Sequence, residues 1–344
     1  MGIKHLNKFL RVECANSITC VDMKELTNKT IVIDISIYMY KYHADGTLIE
    51  NIYLMLSLFK YYNIVPIFVF DGKPPDEKRA LLKQRYMDKV LAEAEYSRLK
   101  MLLDQATILS SADKNDVVSE MALLKRKTIY LTKKQIANVK ALISAFGATY
   151  YDAPNEADEL CALLVIKNKA WACLSEDMDM FVYGVPRVIR YFSLLNHTIV
   201  LYNTSSILQE LNMTQTEFRE LCVLSGTDYN LSNNSASPQS VVTRDFHHTL
   251  HSSVKLFYQY KQTNRVDGFY EWLLNESLIG QEEYTCLNRT CQIFMNESDE
   301  CLGIVNEVNF EQGALLVCKE KLRVILEDDG FIYKQNTQNI QKKI

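Results

Sequence analysis

The chain has 344 residues, of which 48% are hydrophobic, and its formal net charge is −4. This length allows one large domain or two modest ones, and the apolar content is sufficient for a full hydrophobic core. The small negative charge provides no overall basic field, so a nucleic acid partner would have to be held by local basic surfaces. The nine cysteines form no CxxC pair and no metal-binding spacing with histidine, which predicts reduced, mostly buried thiols.

The sequence contains no recognisable membrane or secretory signal. The N-terminal residues MGIKH lack the apolar centre of a signal peptide. No apolar run reaches the roughly 18 residues that a bilayer-spanning helix needs. Leu6 stands where a myristoylation signal at Gly2 would require Ser or Thr. We therefore expect an intracellular globular protein.

Two short apolar runs near the start of the chain are predicted to be buried strands, and each ends in an acid. Residues 30–34 (TIVID) end in Asp34, and residues 64–71 (IVPIFVFD) end in Asp71. Helical patterns lie between them, the second over residues 48–62. The alternation of apolar strand, helix and apolar strand predicts the α/β class, with a central mostly parallel sheet flanked by helices. Ligands of such sheets bind at the carboxyl ends of the strands.

Two pairs of acids spaced i and i+2 lie near the middle of the chain. Glu156 and Asp158 stand where a helix is predicted to begin, with Asn155 as its candidate N-cap. Asp177 and Asp179 follow a short apolar run that is predicted to be a strand. Each pair alone has a structural explanation, because acids in a first helical turn oppose the helix dipole and acids after a strand are ordinary loop residues.

The other acids of the chain favour a functional explanation, in which all of them belong to one site. A further acid follows a predicted helix over residues 217–224, and the full set is Asp34, Asp71, Glu156, Asp158, Asp177, Asp179 and Asp228. Seven carboxylates at one sheet edge cannot all remain ionised without counter-cations. Oxygen-only ligand sets favour Mg²⁺ or Mn²⁺. Two such ions about 4 Å apart serve hydrolysis of a phosphodiester.

Residues 76–132 contain neither Pro nor Gly and carry charges at helical spacing, which predicts two long helices standing out from the sheet. Lys78 and Arg85 are seven residues apart, so they share one face, close in sequence to Asp71. A second charged segment contains Lys125, Arg126 and Lys127. Charged helices are also typical of solvated surfaces with i,i+4 ion pairs. A basic face beside an acidic pocket nevertheless favours a polyanionic partner, and the residues together predict a metal-dependent nuclease.

Six motifs in the same order resemble the flap endonuclease family of XPG-like, structure-specific 5′ nucleases. They are MGI at 1–3, ID at 33–34, VFDGKPP at 69–75, APNEAD at 153–158, SEDMD at 175–179 and LSGTDY at 224–229. The resemblance implies a PIN-like nuclease core over residues 1–229, made of parts 1–108 and 136–229. It also implies a helical arch over 76–135, through which a 5′ single strand passes, and a mostly helical C-terminal region over 230–344.

The resemblance implies roles for individual residues. The seven carboxylates would ligate two Mg²⁺ ions, directly or through water, and Mn²⁺ could substitute. Lys78 and Arg85 match basic residues that steer the scissile phosphate and stabilise transition-state charge, so they are catalytic candidates together with Asp179. Tyr40 matches an aromatic position on which a terminal base stacks, against the alternative of a core tyrosine. Gly2 matches an ordered N-terminus near the site, and the 125–127 cluster would contact DNA.

The chain also departs from the family pattern in three places. The segment between Asp34 and Asp71 is shorter than in cellular members, which puts the preference for a 3′ flap in doubt. Residues 235–241 (SASPQSV) replace the family's glycine-containing helix–two-turn–helix loop, which predicts a weaker K⁺-mediated grip on the duplex. The tail from Asp329 lacks the motif that binds a sliding clamp. Trimmed loops of this kind would suit a viral enzyme.

We therefore expect a Mg²⁺-dependent 5′ flap endonuclease and 5′–3′ exonuclease of DNA replication, repair or recombination. It would act as a monomer on branched or flapped DNA, in the nucleus or at another intracellular site of DNA replication (host nucleus or cytoplasm if viral). The short segment and altered loop keep open a family member specialised for another junction, either resolvase-like or purely exonucleolytic. A nuclease-dead DNA-binding scaffold is the alternative from another class, and retention of all seven acids argues against it.

Overall fold

The computed structural model describes residues 2–105, 111–229, 248–263, 267–295, 297–308 and 315–332. Its strands are β1 Ile18–Asp22, β2 Thr30–Asp34, β3 Val65–Phe70, β4 Thr149–Asp152, β5 Ala172–Leu174, β6 Arg187–Ser193 and β7 Thr198–Asn203. They form a seven-stranded sheet in the order β1-β7-β6-β5-β2-β3-β4. Neighbours from β6 to β4 pair in parallel, whereas β7 pairs antiparallel with both β6 and β1. The predicted mostly parallel sheet is confirmed.

Helices cover both faces of this sheet, and one long pair extends from it. They are α1 Leu6–Glu13, α2 Ile35–Ala44, α3 Leu48–Tyr61, α4 Arg79–Gln105, α5 Ser111–Lys127, α6 Lys133–Ala145, α7 Ala157–Ile166, α8 Asp179–Tyr183, α9 Thr204–Leu211, α10 Gln215–Leu224, α11 Leu250–Gln262, α12 Phe269–Asn275, α13 Gln281–Ile293, α14 Asp299–Glu307 and α15 Lys319–Asp328. Among the described helices, none is both long and apolar enough to cross a membrane.

Alternate residues of β2 explain why both faces of the sheet are covered. Ile31 and Ile33 belong to a core that includes α2, α3 and α6, whereas Val32 belongs to a core that includes α7, α8 and α10. Successive side chains of a strand point to opposite faces, so a strand buried on both sides needs a continuous apolar run. This is the pattern from which β2 and β3 were predictable. The helices α11 to α14 extend the second core.

The predicted pair of long helices is present, with 27 residues in α4 and 17 in α5. A short 3-10 helix, Asp76–Lys78, leads directly into α4. Large apolar side chains on α4 remain in solvent, for example Tyr86 and Leu91, which are 66% and 65% exposed. The two helices therefore leave aromatic and aliphatic surface uncovered beside the body of the protein.

Several parts of the chain that the sequence patterns single out lie outside the described residues. These are Met1, the altered loop at 235–241 and the tail beyond residue 332. Four strands, in turn, are not predicted from the sequence: β1, β4, β6 and β7. The edge strands β1 and β4 are only partly buried along their length, so neither has the continuous apolar run that marks a central strand.

A partly buried acid on α10 makes stability depend on pH. Burial and the charge of Glu217 raise the pKa of Glu220 to about 7, against the opposing charge of Arg219. The folded-state pKa of Glu220 lies above the unfolded one. In strong acid the carboxyl group is protonated in both states, so it does not lower the free energy of unfolding there. Its cost develops as the pH rises from about 4.5 to about 7.

The substitution Glu220→Gln is therefore expected to raise the free energy of unfolding at pH 8 by about 1 to 2 kcal/mol. This is well below the full value of the shift, because the side chain is partly solvated. At about pH 3.5, below both pKa values, the two proteins should be equally stable. Urea denaturation at both pH values measures the difference. A gain of the same size at both would show that ionisation of Glu220 is not its cause.

Candidate active site

The order of the strands reverses at β2, because β3 and β5 lie on opposite sides of it. Ligands of open parallel sheets bind at the carboxyl ends of the strands at such a switch point. Asp34 is the last residue of β2, and Asp71 directly follows β3. Asp177 and Asp179 follow β5, and Asp179 is the first residue of α8. The switch point therefore collects acids from three adjacent strands.

Hydrogen bonds within residues 175–179 connect this segment, here called the DMD loop, to the end of β2. The hydroxyl of Ser175 donates to Oδ2 of Asp34 at 3.2 Å and accepts the backbone N–H of Asp177 at 3.1 Å. The backbone N–H of Asp179 in turn donates to Oδ1 of Asp177 at 3.0 Å. The loop thus holds two carboxylates beside that of Asp34.

Helix α7 and the end of β3 also contribute acids to the site. The prediction that Asn155 caps this helix is wrong. Helix α7 begins at Ala157 with Glu156 at its N-cap and Asp158 in its first turn, so Asn155 does not cap it. Oδ1 of Asp71 accepts the backbone N–H of Ala157 at 2.9 Å instead. The capping acid comes from a neighbouring strand, which a local sequence pattern cannot reveal. This bond ties Asp71 to the helix that carries Glu156 and Asp158.

Two cations at the base of α4 contact the acids. Lys78 is only 5% exposed, and its Nζ lies 2.6 Å from Oε2 of Glu156. The hydroxyl of Tyr229 donates to the same oxygen at 3.0 Å, and Nζ of Lys78 lies 4.3 Å from the centre of the Tyr229 ring. Arg85 forms a second ion pair, with its Nη2 atom 2.6 Å from Oδ2 of Asp228. The long helix pair is thus attached to the acidic centre by two ion pairs.

Burial and mutual repulsion dominate the electrostatics of the centre. Burial, with the charges of Asp71 and Asp177, raises the pKa of Asp34 to about 8. Burial and the charge of Asp177 raise the pKa of Asp158 and of Asp179 well above the usual range. Burial lowers the pKa of Lys78, but neighbouring carboxylates outweigh it and the net pKa is raised, so the ammonium stays charged.

Two buried carboxylate oxygens of the centre can still accept a hydrogen bond or bind a cation. Oδ1 of Asp34 and Oδ1 of Asp179 have no hydrogen-bond partner among the residues that the structure describes. Such orphaned acceptors are costly unless a cation or water satisfies them. Within the described ranges, no three Asp, Glu, His or Cys side chains are arranged to hold one metal ion, and Lys78 and Arg85 occupy oxygens of Glu156 and Asp228. In its chemistry, this oxygen-only donor set is of the kind that Mg²⁺ and Mn²⁺ prefer.

Gly2 lies against the DMD loop. Its φ is +71°, and a Cβ at this position would lie 2.5 Å from Oδ1 of both Asp177 and Asp179. Any larger residue would therefore collide with the two carboxylates as well as strain the backbone. The structure places this sequence-predicted residue at the acidic centre.

Tyr40 lies near the site but outside the core. It is 45% exposed, and Nζ of Lys89 lies 6.0 Å from its ring centre. Burial, followed by the charge of Asp71, raises the pKa of its hydroxyl. Its ring remains available to a ligand, which disfavours the alternative of a core tyrosine.

The predicted basic cluster at 125–127 divides between two surfaces. Lys127 lines a cavity of about 580 Å³ between α4 and α5, together with Arg85 and Lys89. Lys125 lines another cavity, of about 610 Å³, with His43 and Tyr130. The side chain of Arg126 lies outside the described part of the chain. Of the two described side chains of this cluster, that of Lys127 is grouped with a cation of the acidic centre, Arg85.

Gly72 contributes to the site in a way that the sequence reasoning missed. Its backbone N–H donates to the carbonyl oxygen of Asn155 at 2.7 Å, and Lys73 donates to that of Pro154 at 3.3 Å. A Cβ at Gly72 would overlap the carbonyl oxygen of Ala153. The close approach of these two backbones positions Asp71 beside α7. The Asp-Gly pair after a strand is the only signal in the sequence.

The substitution Gly72→Ala is expected to lower the free energy of unfolding by about 2 kcal/mol, because the added methyl group must push two backbones apart. Gly303→Ala is the matched control, since a Cβ there meets no described atom within 4 Å and lies inside α14. That change should leave stability unchanged or raise it by up to about 1 kcal/mol. Urea denaturation compares the two. Equal stability of Gly72→Ala and the parent would contradict the close contact.

The fold and the site define an α/β protein with a buried cluster of acids at the switch point of its sheet. The XPG N-terminal domain matches residues 1–92, and the XPG I-region matches residues 147–228. The two matches together cover just over half of the chain and include all seven carboxylates. The chain belongs to the XPG-like family of nucleases, as its motifs predicted.

Individual relatives agree with this assignment. Flap endonuclease 1 of Glycine max is 30% identical over 253 residues, which cover 67% of this chain and 62% of that protein. Flap endonuclease 1 of Homo sapiens is 29% identical over 260 residues, covering 70% and 65% respectively. The chain thus spans about three-fifths of the length of such curated relatives. The structure of flap endonuclease-1 from Methanococcus jannaschii superposes with a TM-score of 0.57 at 22% identity, covering 92% of this chain and 91% of that one, which shows a shared fold.

Proposed function

We propose that the chain is a Mg²⁺-dependent, structure-specific 5′ flap endonuclease with 5′–3′ exonuclease activity on DNA. The observation that carries this proposal is the seven-carboxylate centre at the switch point, where two cations at the base of α4 contact the acids. Membership of the XPG-like family and similarity to flap endonucleases of Glycine max and Homo sapiens support it. The activity would serve DNA replication, repair or recombination, at an intracellular site of DNA replication, with the protein acting as a monomer.

The chemistry follows from the residues of the centre. Two bound divalent cations would supply an activated water and charge stabilisation at the leaving oxygen. The carboxylates would hold them, and the two oxygens of Asp34 and Asp179 that have no hydrogen-bond partner among the described residues are ready acceptors. Lys78 and Arg85 neutralise part of the centre in the protein alone. When a strand enters, they exchange carboxylate oxygens for those of the scissile phosphate and stabilise the charge that develops there.

The path of the single strand is proposed to run beneath the arch, residues 76–135, which is inserted into the nuclease core of residues 1–229. Arg85, Lys89 and Lys127 line the cavity between α4 and α5 together with the acids Asp88 and Glu95, so the cations outnumber the acids by one. Tyr86 exposes an aromatic face on the same helix pair. Basic grooves with exposed aromatic rings bind single strands without sequence preference. The half-exposed ring of Tyr40 is proposed to stack on a terminal base near the centre.

A panel of DNA substrates tests the proposal. Purified protein with Mg²⁺ is incubated with a 5′ flap, a double flap, a nicked duplex, a gapped duplex and a four-way junction, and product lengths are determined. Cleavage near the base of the 5′ flap, abolished by EDTA and restored by Mg²⁺ or Mn²⁺, is the expected result. A folded protein that cleaves none of these substrates with either ion would refute the activity.

One observation favours a second candidate within the same family. Only three residues, 45–47, join α2 to α3. The loop that opens a DNA junction in cellular flap endonucleases would have no room here. A nuclease specialised for another junction, or for exonucleolysis, fits this feature. The same panel distinguishes it, because preferred cleavage of the four-way junction or of nicked and gapped duplexes would replace cleavage of the flap.

A further inference from the structure

An irregular segment of β6 lies behind the DMD loop. The pairing of β6 with β7 shifts between Arg190 and Ser193, and Tyr191 has a φ of +54°. A large side chain in this left-handed region is strained, and such strain is retained where surrounding contacts enforce it. Bulges beside active sites commonly redirect a side chain. Here the redirected side chains are those of Arg190 and Tyr191.

Arg190 holds the DMD loop from behind. Its Nη2 atom donates to the backbone oxygen of Glu176 at 3.0 Å and lies 3.3 Å from Oε2 of the same residue. Its Nη1 atom lies 2.8 Å from Sδ of Met178, and the backbone N–H of Tyr191 donates to Oε1 of Glu176 at 2.7 Å. Glu176 and Met178 are the residues on either side of Asp177. The guanidinium thus contacts Glu176 and Met178, which alternate along the loop with Asp177 and Asp179.

Asn7 joins helix α1 to the same arginine. Its Oδ1 accepts from Nη1 of Arg190 and from the hydroxyl of Tyr202, both at 2.8 Å. Its Nδ2 donates to the hydroxyl of Tyr191 at 2.7 Å. One amide therefore makes three hydrogen bonds to β6 and β7, and Arg190 is itself only 6% exposed. These contacts fix α1 relative to the strand that supports the loop.

The two ends of this network meet at the acidic centre. Gly2 precedes Asn7 by five residues and lies against Oδ1 of Asp177 and of Asp179. The network thus connects two parts that contact these carboxylates. One is the N-terminal segment with Gly2, and the other is the backbone of the DMD loop itself. Residues that orient metal ligands from behind tune metal affinity by constraining the ligand geometry.

We propose that Asn7 and Arg190 are positioning residues that keep Asp177 and Asp179 in place to bind a divalent cation. The inference rests on the proposed function, in which these two carboxylates are metal ligands. Asn7 acts through Arg190 and through the docking of α1, and Arg190 acts through Glu176 and Met178. The bulge at Tyr191 supplies the local geometry that this arrangement needs.

Three variants at adjacent positions test the proposal. Asn7→Leu removes both the donor and the acceptor at similar size, Asn7→Asp keeps an acceptor oxygen for Arg190 and Tyr202, and Lys8→Ala changes the next, exposed residue. Mn²⁺ affinity of the DNA-free protein is measured from the electron paramagnetic resonance signal of free Mn²⁺. Cleavage of a 5′ flap is measured as a function of Mg²⁺ concentration.

Asn7→Leu is expected to weaken Mn²⁺ binding by about ten-fold and to raise the Mg²⁺ concentration for half-maximal cleavage by about the same factor. Cleavage at saturating Mg²⁺ should stay within about two-fold of the parent, because the chemical groups are unchanged. Asn7→Asp and Lys8→Ala should resemble the parent in both measurements. A purely structural role would lower the melting temperature of Asn7→Leu and leave Mn²⁺ affinity unchanged, which would overturn the proposal.

A double variant keeps the test decisive if Asn7→Leu does not fold. Tyr191→Phe combined with Tyr202→Phe removes two hydroxyls that bond to Asn7 and leaves the apolar packing intact. It is expected to weaken Mn²⁺ binding by a few-fold, and unchanged affinity would overturn the proposal. If the parent neither binds Mn²⁺ nor cleaves a flap, the proposed function fails. If the parent does both and these variants match it, only the positioning role fails.

Discussion

Replacing Asp179 with alanine is expected to lower the rate of flap cleavage by at least about 1,000-fold, a loss of about 4 kcal/mol of transition-state stabilisation. Asp179 is 2% exposed, and its Oδ1 is buried with no hydrogen-bond partner among the described residues. Its proposed task is to hold a cation that the chemistry requires. Flap binding should change by no more than about two-fold, because the basic surfaces proposed to hold DNA lie on α4 and α5.

The same variant should be more stable than the parent in the absence of metal ions. Burial and the charge of Asp177 raise the pKa of Asp179 well above its usual range, so its ionised form opposes folding. Removing it relieves that repulsion, and the melting temperature in EDTA should rise. With Mg²⁺ the order should reverse, because a bound ion stabilises the parent more than the variant. A gain in stability together with a loss of activity is typical of a residue kept for function.

Asp152→Ala is the matched control for both measurements. Asp152 also ends a strand of the same sheet, but its side chain is 58% exposed and pairs with Lys140. Cleavage and the response to Mg²⁺ should both remain within about two-fold of the parent. Single-turnover cleavage with excess protein reports the rate, and fluorescence anisotropy in EDTA reports flap binding. Cleavage by Asp179→Ala at the rate of the parent would refute its assignment as a metal ligand.

The central strands were predictable because burial on both faces leaves a trace in the sequence. Residues 30–34 are predicted as a strand and form β2 over the same residues, Thr30–Asp34. The edge strand β1 escaped prediction because its residues are partly exposed, and its place is set by pairing with β7, which lies far along the chain. The hairpin of β6 and β7 includes an irregular register that depends on its partners. Local patterns cannot contain such information.

The acids of the site were predictable for a related reason. An acid placed directly after an apolar strand lies at the carboxyl edge of a parallel sheet wherever the fold places that strand. The contacts between elements were not predictable, because they depend on which loops meet. Asp71 caps α7 in place of Asn155. Gly72 allows that contact because its backbone packs against the turn before the helix.

The substitution Lys78→Met is expected to lower single-turnover cleavage by about 100- to 1,000-fold, the range for losing one donor that stabilises transition-state charge. Lys78 is held within 2.6 Å of Glu156 and 4.3 Å from the centre of the Tyr229 ring, so its position is set before DNA arrives. Methionine retains the length and much of the apolar volume of the side chain. The loss would therefore report the charge and not the packing. Lys319→Met, at an exposed position of α15, is the control and should stay within about two-fold of the parent.

The stability of Lys78→Met should separate its role from that of Asp179. Without metal ions, removing Lys78 leaves Glu156 beside other acids with no ammonium to offset it. The melting temperature in EDTA should therefore fall, whereas that of Asp179→Ala should rise. Both variants lose cleavage, so cleavage alone cannot separate the two roles. Opposite changes in metal-free stability would show that Asp179 adds repulsion to the centre and that Lys78 offsets it. Adding Glu156→Gln to Lys78→Met should restore the melting temperature in EDTA, because it removes the carboxylate that has lost its ammonium partner. Cleavage by Lys78→Met at the rate of the parent would refute its role in stabilising transition-state charge.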